Sequence, residues 1–472
     1  MSPAVKPRDQ RPHIAMVVIL TISFVLKLAI LLSADAGYYF VGGDTKSYWP
    51  VAEALLEHGA FAPSPEEPET AETIRTPGYP LFMAAALGVW NDLRAVVLVQ
   101  ILVSTLTLWL VYQLAAWRWG PWTGALAVTI LALDPGSFAH SLLVLTESLF
   151  TLLFAAAVGC AAVFSERWQT RWIFAAGVCL ALAIHVRPIA YYFPMLLFAW
   201  LLFSGFWVGL RPGRIAKTVV AFLLPLALLV GGWQVRNQLR TGYSAFSSIS
   251  GINLLFYRGA GVVALRDKVD LFEARRQLTG FSEFGRDVLY ETPEEQVEPM
   301  AAIWTRQGLA VLKAHPGLVL QTQARSVIPL FLGIGHHALL PILGREIPPA
   351  GPLGDLLRLD AGTYAERWVF GRPLLWSFFV AEEGYLLAVY LLVLVWPWLA
   401  FWRVGRQASD HCFWLGLLYL VAISLGPEAV ARFRVPLMPL LALYAAASAV
   451  YFLEAPMRRW AKSRNSGNAS DV

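Results

Sequence analysis

Two carboxylates in this chain stand where apolar sequence meets polar sequence. Asp44 follows Gly42 and Gly43 and precedes a stretch with helical spacing, and Glu147 lies near one end of a long apolar run. A carboxylate in or beside a membrane-spanning segment is costly, so each is a candidate for a functional role. Positioned carboxylates act as general bases in enzymes. Asp44 can equally be an ordinary helix N-cap, and Glu147 a charge at a helix end.

Five arginines also lie at the ends of apolar runs. They are Arg75, Arg187, Arg236, Arg432 and Arg434. A guanidinium can donate two parallel hydrogen bonds to a phosphate, and arginines gathered on one side of a membrane would stabilise a phosphate leaving group. Arg75 can instead pair with the carboxylates that surround it in sequence, and any one of the other four can be a snorkelling or helix-terminal charge.

The elements that must position these residues are membrane helices. Of the 472 residues, 57% are hydrophobic and 15% are charged, whereas soluble proteins carry about 25% charged residues. Runs of about 20 apolar residues have the length that crosses the hydrocarbon as a helix. They lie at 14–34, 95–117, 121–135, 138–164, 172–187, 189–207, 218–235, 374–402, 411–426 and 435–453. The sequence therefore predicts an all-α polytopic membrane protein with about ten to twelve transmembrane helices.

Basic residues predict the orientation of these helices. Lys6, Arg8 and Arg11 precede the first run, and a basic tail follows the last. The positive-inside rule then places both termini in the cytoplasm of a bacterial inner membrane. Residues 35–76, with eight carboxylates against two basic residues, and residues 236–372 would lie outside. Both candidate carboxylates and all five arginines map to this outer side, where the rule predicts few arginines.

The chain is expected to have four parts. An N-terminal transmembrane module, 1–235, contains the first outer loop at 35–76, and a small extracytoplasmic domain follows at 236–372. C-terminal transmembrane helices occupy 373–457, and 458–472 form a cytoplasmic tail. The outer domain contains an apolar segment near 316–334. A single crossing there would put the basic tail outside, so this segment is predicted to be interfacial, re-entrant or half of a hairpin.

Several other kinds of site find no support in the sequence. There is no HExxH or CxxC motif and no glycine-rich phosphate loop after a strand. Cys160, Cys179 and Cys412 all lie in apolar runs and are predicted to be buried side chains rather than disulfides or metal ligands. The sequence indicates no cofactor, leaves metal dependence open, and does not predict nucleic acid as a partner. The pair Glu382 and Glu383 has no basic partner within its own apolar run.

At these residues the sequence resembles the GT-C superfamily of membrane glycosyltransferases, in particular the branch of protein O-mannosyltransferases and lipid A aminoarabinose transferases. The similar motifs occur in order along almost the whole chain. They are Gly43-Asp44 with Tyr48, Arg75-Thr76-Pro77-Gly78-Tyr79-Pro80-Leu81, Thr146-Glu147-Ser148-Leu149, Arg187-Pro188, Trp233-x-x-Arg236-Asn237 with Gly242, His315-Pro316, and Arg432-Phe433-Arg434-x-Pro436 with Pro439. Each motif is short, and their shared order makes the signal fairly specific.

The resemblance implies a GT-C fold with juxtamembrane helices in the first outer loop and an extracytoplasmic active site. It implies a polyprenyl-phosphate-linked sugar as donor, an extracytoplasmic glycan, lipid or protein as acceptor, and inversion at the sugar carbon. Asp44 would be the catalytic base, Glu147 a second acidic residue, and the arginines would hold the donor phosphate. Thr45 follows Asp44 where the protein O-mannosyltransferases have a second acidic residue, so the acceptor stays open.

Two other function classes remain as alternatives. A flippase or transporter of lipid-linked sugars would be favoured by polar residues at several mid-membrane positions, which are scarce in this sequence. A non-catalytic scaffold of envelope glycan assembly would use the same arginines to bind anionic membrane lipids.

Overall fold

The computed structural model describes residues 9–34, 44–242, 244–281, 297–348, 351–356, 359–401 and 407–467. Within these ranges all regular secondary structure is helical, so the prediction of an all-α polytopic membrane protein is confirmed. The expectations stated for Lys6, Arg8, Gly42 and Gly43 concern residues outside these ranges.

Seven helices in the described part of the chain are long and apolar enough to cross a membrane. They are Arg11–Ser33, Leu93–Trp119, Glu147–Arg167, Pro188–Trp207, Pro212–Thr241, Pro373–Leu399 and Ala431–Glu454. Shorter apolar helices are Gly78–Val89, Pro121–Leu133, Thr170–Val186 and Ala408–Ser424. The seven long helices and the last three short ones correspond to the ten predicted runs. The helix Gly78–Val89 is an additional element of 12 residues.

Two of the long helices form the centre of the bundle. In the helices Glu147–Arg167 and Ala431–Glu454, 72% and 78% of an apolar stretch of 18 residues is buried. The corresponding share in Arg11–Ser33 is 17%. Small residues allow close packing here. A β-carbon on Gly416 would lie 2.8 Å from the Val158 side chain, inside normal van der Waals distance. The two helices whose first turns contain Glu147 and Arg432 are therefore the most enclosed of the seven.

The run at 138–164 is not one helix in the structure. Asp134 caps a short helix, Pro135–His140, because its carboxylate accepts a hydrogen bond from the Ser137 N–H at 2.6 Å. Proline at the first helical position favours the same start. The chain then turns at 141–146 before the helix Glu147–Arg167 begins. Glu147 consequently lies at the first residue of a helix rather than inside one.

Shorter helices connect the spans that end at Thr241 and begin at Pro373. They include Ala260–Asp267, Leu271–Thr279, Val297–Ala314 and Pro316–Phe331. The last of these covers most of the predicted segment at 316–334 and is not among the helices long and apolar enough to cross a membrane. It buries one narrow stripe formed by Thr322, Ser326 and Leu330, which is typical of a helix lying against its neighbours.

Candidate active site

Asp44 lies directly before the loop helix Thr45–His58, but its carboxylate does not cap that helix. Its Oδ1 accepts a hydrogen bond from Nη2 of Arg75 at 3.0 Å, and its Oδ2 accepts one from Nη1 of Arg432 at 2.6 Å. A capping side chain would instead accept from N–H groups two or three residues further along the helix. The interpretation of Asp44 as an ordinary N-cap therefore does not fit the position of its side chain.

Glu147 is fully buried and accepts hydrogen bonds from two arginines. Its Oε1 lies 2.6 Å from Nη1 of Arg187 and also accepts from Nε of Arg432. Its Oε2 has no hydrogen-bond partner among the residues described. Arg432 thus bridges the two carboxylates. We call Asp44, Glu147, Arg75, Arg187 and Arg432 the charge cluster.

The two carboxylates of the charge cluster differ in their access to solvent. The Asp44 side chain is 33% exposed, whereas that of Glu147 is 0% exposed. The Arg432 and Arg187 side chains are 22% and 14% exposed. A molecule arriving from the surface can therefore reach Asp44 and the guanidiniums, while Glu147 acts on it only through the arginines.

Arg75 is held by contacts to both its backbone and its guanidinium. The Glu72 carboxylate accepts hydrogen bonds from the N–H groups of Ile74 at 2.5 Å and Arg75 at 2.9 Å. The guanidinium lies 4.5 Å from the centre of the Tyr48 ring and donates to the Tyr48 hydroxyl at 3.3 Å. Burial raises the pKa of Tyr48, so this hydroxyl remains neutral while it accepts the bond.

Arg236 braces the backbone that leads to Arg75. Its guanidinium donates to the carbonyls of Glu72 at 3.1 Å and Phe61 at 3.2 Å, and it lies 4.7 Å from the centre of the Trp233 ring. Two of these contacts tie it to the first outer loop. The structure therefore links Arg236 to the position of Arg75 and does not place it in the charge cluster.

Arg187 follows the helix Thr170–Val186 in an extended conformation and precedes Pro188. The segment that contains it packs directly on the segment that contains Arg75. A β-carbon on Gly78 would lie 2.6 Å from the carbonyl carbon of His185. Only a glycine allows this approach without displacing the backbone, so Gly78 helps to bring Arg75 and Arg187 to the same place.

Thr45 connects the two carboxylates through the turn at 141–146. Its hydroxyl, next to Asp44 in the sequence, donates to the Val144 carbonyl at 2.8 Å. Glu147 begins its helix three residues after Val144. This hydrogen bond is buried, and it sets the position of Asp44 relative to Glu147.

A second bond to the same turn comes from the membrane-spanning helix Leu93–Trp119. The side-chain amide of Gln100 donates to the Leu143 carbonyl at 2.5 Å, and its Oε1 accepts from the Tyr79 hydroxyl at 2.5 Å. Gln100 and Tyr79 are both 0% exposed. Buried polar groups of this kind are costly unless paired, so this pair holds the turn in one position.

Arg434 lies two residues beyond Arg432 but belongs to a different group. Its Nη1 donates to the carbonyls of Phe331 and Gly333, both at 3.0 Å, and its Nη2 donates to Glu382 at 3.1 Å. Its side chain is 1% exposed. The predicted phosphate ligand Arg434 is therefore enclosed by protein groups and placed apart from the charge cluster.

Glu382 is the common hydrogen-bond acceptor of this second group. It also accepts from the Gly335 N–H at 2.7 Å and from Nδ1 of His336 at 2.6 Å. Its basic partners thus come from other segments of the chain, which is why its own apolar run contains none. The neighbouring Glu383 is half-buried, and neither of its oxygens has a hydrogen-bond partner among the described residues.

The arginines of the charge cluster determine the ionisation of Asp44 when no ligand is bound. Burial alone would raise the pKa of Asp44, but the guanidiniums of Arg432 and Arg75 outweigh this and hold the pKa well below its usual range. Within the charge cluster three guanidiniums face two carboxylates, and the nearby Glu72 carboxylate also acts on Arg75. Guanidiniums pair with phosphate oxygens as well as with carboxylates, so a phosphodiester can compete for them.

No metal-ligand cluster is formed within the described ranges, where no three His, Cys, Asp or Glu side chains are grouped to hold an ion. Cys160, Cys179 and Cys412 are free thiols, and Cys412 is buried. The prediction of buried side chains is confirmed for Cys412, whereas Cys160 and Cys179 are only partly buried.

The structure brings five of the seven predicted site residues into one cluster and places Arg236 and Arg434 elsewhere. Sequence reasoning did not identify Gln100, Glu72 or Thr45 as residues that position the site. Gln100 gave a usable signal, since it is one of only two amide side chains inside the apolar run at 95–117. Thr45 and Glu72 gave none, because polar residues are ordinary in an outer loop.

One protein family matches part of the chain. The family described as dolichyl-phosphate-mannose-protein mannosyltransferase matches residues 75–233. This range includes Arg75, Glu147 and Arg187. No curated protein sequence matches the chain.

Solved structures of an archaeal oligosaccharyltransferase share the fold at low sequence identity. A crystal structure of the Archaeoglobus fulgidus oligosaccharyltransferase tethered with an acceptor peptide superposes with a TM-score of 0.55 and 13% identity, over 96% of this chain and 51% of that one. The apo form gives 0.52 and 12%, over 95% and 52%. ArnT from Cupriavidus metallidurans bound to undecaprenyl phosphate gives 0.37 and 12%, over 94% and 78%.

The chain spans about half the length of these archaeal oligosaccharyltransferase chains. The family match and the shared archaeal fold confirm the predicted resemblance to the GT-C superfamily of membrane glycosyltransferases.

Proposed function

We propose that this chain is a glycosyltransferase that moves a sugar from a polyprenyl-phosphate donor to an extracytoplasmic acceptor. The observation that carries the proposal is the charge cluster, in which Arg432 bridges a reachable carboxylate and a buried one. The family match at residues 75–233, to a group described by a dolichyl-phosphate sugar donor, supports a lipid-phosphate donor. The fold supports the same reaction class.

In this proposal the donor phosphate binds the guanidiniums of Arg75, Arg187 and Arg432. Arginine suits this role because its planar fork matches two phosphate oxygens. In the resting protein two of these arginines are bonded to Asp44. A bound phosphate competes for them, so donor binding frees Asp44 and raises its pKa from the depressed value, which makes it a better base.

The reaction then proceeds as a single displacement. Asp44 takes the proton from the acceptor hydroxyl or amine, and the acceptor atom forms a bond to C1 of the sugar. The bond between C1 and the phosphate oxygen breaks, and its electron pair stays on that oxygen. The guanidiniums stabilise the negative charge that develops on the phosphate. Attack from the face opposite the phosphate inverts the configuration at C1.

Glu147 has a different role from Asp44 in this mechanism. It is 0% exposed and bonded to Arg187 and Arg432, so it orients the two guanidiniums and balances their charge. Arg236 and Arg434 position the loop segment and the helix end that contain Arg75 and Arg432. The loop at 35–76 and the region 236–372 face the outside of a bacterial inner membrane, and both termini face the cytoplasm.

The proposal is tested with purified protein in nanodiscs supplied with polyprenyl-phosphate-linked sugars of several kinds. Mass spectrometry would detect the released polyprenyl phosphate and the sugar on an added acceptor. Envelope glycans from cells with and without the gene identify which donor and acceptor to supply. Consumption of one donor with release of its lipid phosphate supports the proposal. Movement of a donor between leaflets without cleavage would contradict it and favour a flippase, and binding without either would favour a scaffold.

A further inference from the structure

We infer that a small cavity beside Lys27 is a binding site for a single monovalent anion of halide size. The site lies inside the helix bundle, next to the charge cluster but separate from it. It does not depend on the proposed transferase function, because the binding of a halide can be measured without any sugar donor.

Lys27 is buried within the first membrane-spanning helix, with 3% of its surface exposed. Its ammonium donates to the Ser104 hydroxyl and lies 5.2 Å from the centre of the Phe138 ring. Among the residues that the structure describes, no carboxylate forms an ion pair with it. An ammonium has three N–H donors and no acceptor, so one bond to Ser104 leaves it poorly satisfied. An unpaired charge at this depth is costly.

The cavity is lined by Lys27 and has a volume of about 30 Å³. A cavity needs about 10–15 Å³ to hold one water molecule, so a single-atom anion fits. Ser137 and Thr151 also line the cavity, and their hydroxyls have no hydrogen-bond partner among the residues described. Thr151 is 6% exposed. The cavity is therefore lined by a lysine and by two residues with unpaired hydroxyls.

The charges around the cavity favour an anion over a neutral molecule. A water molecule can accept a hydrogen bond from Lys27 but cannot balance its charge. Asp134 accepts from the backbone of Ser137, and Glu147 is paired with Arg187 and Arg432. Neither carboxylate is bonded to Lys27. The first turn of the helix Glu147–Arg167 also lines the cavity through Ser148, and the start of a helix favours negative charge.

The cavity joins elements that also form the charge cluster. Ser148 follows Glu147, and Val435, which lines the cavity, lies three residues after Arg432. A bound anion would therefore connect the first helix to the two central helices. We expect it to stabilise the folded protein, because a ligand that binds only the folded state raises the free energy of unfolding.

The test compares the melting temperature of the purified protein in chloride, bromide and gluconate at constant ionic strength. For the wild type we expect the melting temperature to rise with chloride or bromide and to saturate, with no such rise in gluconate, an anion too large for the cavity. Lys27→Met should melt at one temperature in all three salts. Lys217→Met removes an exposed lysine and should keep the wild-type response.

A second measurement does not depend on any variant folding. Crystals of the wild type grown in bromide should give an anomalous scattering peak in contact with the Lys27 ammonium. Two results would overturn the inference. One is an equal response to all salts in the wild type with no bromide peak, which would leave a water molecule beside a neutral lysine. The other is a halide response that persists unchanged in Lys27→Met.

Discussion

Arg432 donates to both carboxylates of the charge cluster, so a ligand that draws its guanidinium away changes both of them. Asp44 would keep Arg75 and Glu147 would keep Arg187, so each acid would lose one of its two arginine partners. Of the two acids only Asp44 can be reached from the surface, because its side chain is 33% exposed and that of Glu147 is 0% exposed. This difference in access separates the roles that we propose for the two acids.

The depressed pKa of Asp44 predicts how the stability of the resting protein depends on pH. A carboxyl whose pKa is lower in the folded state stabilises the fold above its unfolded pKa, about 3.9, and this contribution is lost as the pH falls towards the folded value. The folded pKa lies well below the usual range because of Arg432 and Arg75, against the effect of burial. The difference in melting temperature between wild type and Asp44→Ala should therefore be constant from about pH 5 to 8 and shrink only below about pH 4. A difference that already shrinks between pH 5 and 7 would contradict the depressed pKa.

Replacing arginine by lysine tests the phosphate-binding role. Arg75→Lys, Arg187→Lys and Arg432→Lys keep the charge but lose the planar fork, so donor affinity should fall about tenfold at a true ligand, the effect of one lost charged hydrogen bond. Donor binding is measured directly in nanodiscs.

Two other variants serve as controls for that experiment. Arg171→Lys changes an exposed arginine and should bind donor like the wild type. Arg434→Lys should lower thermal stability, because it breaks the buried bonds to Glu382 and the Phe331 carbonyl. Wild-type donor affinity in all three charge-cluster variants would remove the arginines from phosphate binding.

At the scale of elements, the turn at 141–146 determines whether the two acids meet. Thr45 and Gln100, which lie on two different helices, donate hydrogen bonds to two adjacent carbonyls of this turn. The apolar pattern at 138–164 predicts one continuous helix, and it could not predict the break because the residues in the turn are themselves mostly apolar. Two short sequences mark the helix starts on either side of the break. Asp134-Pro135 starts a short helix, and Thr146-Glu147 starts the next.

Gln100→Leu tests the role of this turn. The change leaves the Leu143 carbonyl and the Tyr79 hydroxyl without their partner, so we expect the protein to be destabilised by about 1–3 kcal/mol. The proposal also predicts a lower kcat for sugar transfer at saturating donor, since Glu147 would no longer be held in place. Gln113→Leu, an exposed glutamine in the same helix, is the matched control. Unchanged stability and kcat in Gln100→Leu would show that the turn does not depend on this bond.

At the scale of the whole molecule, the charge cluster combines residues from both ends of the chain. Asp44 and Arg75 come from the first outer loop, Glu147 and Arg187 from helix ends, and Arg432 from the start of the last span. The sequence predicts that these residues share one side of the membrane, because charge asymmetry sets the topology. It could not predict which of the five arginines meet, since Arg434 is two residues from Arg432 and has different partners. That choice depends on packing between distant segments.

The topology itself is tested by labelling with an impermeant thiol reagent in intact spheroplasts. We expect a cysteine introduced at Glu67, an exposed position in the first loop, to react. One introduced at Arg171, an exposed position in the first turn of the helix Thr170–Val186, should react only after lysis. The wild type, with three free cysteines, gives the background. Labelling at Arg171 but not at Glu67 in intact spheroplasts would invert the topology and place the charge cluster on the cytoplasmic side.

The most direct test of the proposed function is sugar transfer by Asp44→Asn. The amide keeps the size of the side chain, and its single carbonyl oxygen can still accept a hydrogen bond from Arg75 or Arg432, but it cannot act as a base. We expect the variant to fold and to bind donor, with transfer reduced about 100-fold or more, the usual scale for a lost general base. Asp360→Asn is the control, because Asp360 caps a helix through the Thr363 N–H at 3.0 Å, and asparagine caps about as well. Transfer by Asp44→Asn at a rate near that of the wild type would contradict the assignment of Asp44 as the base.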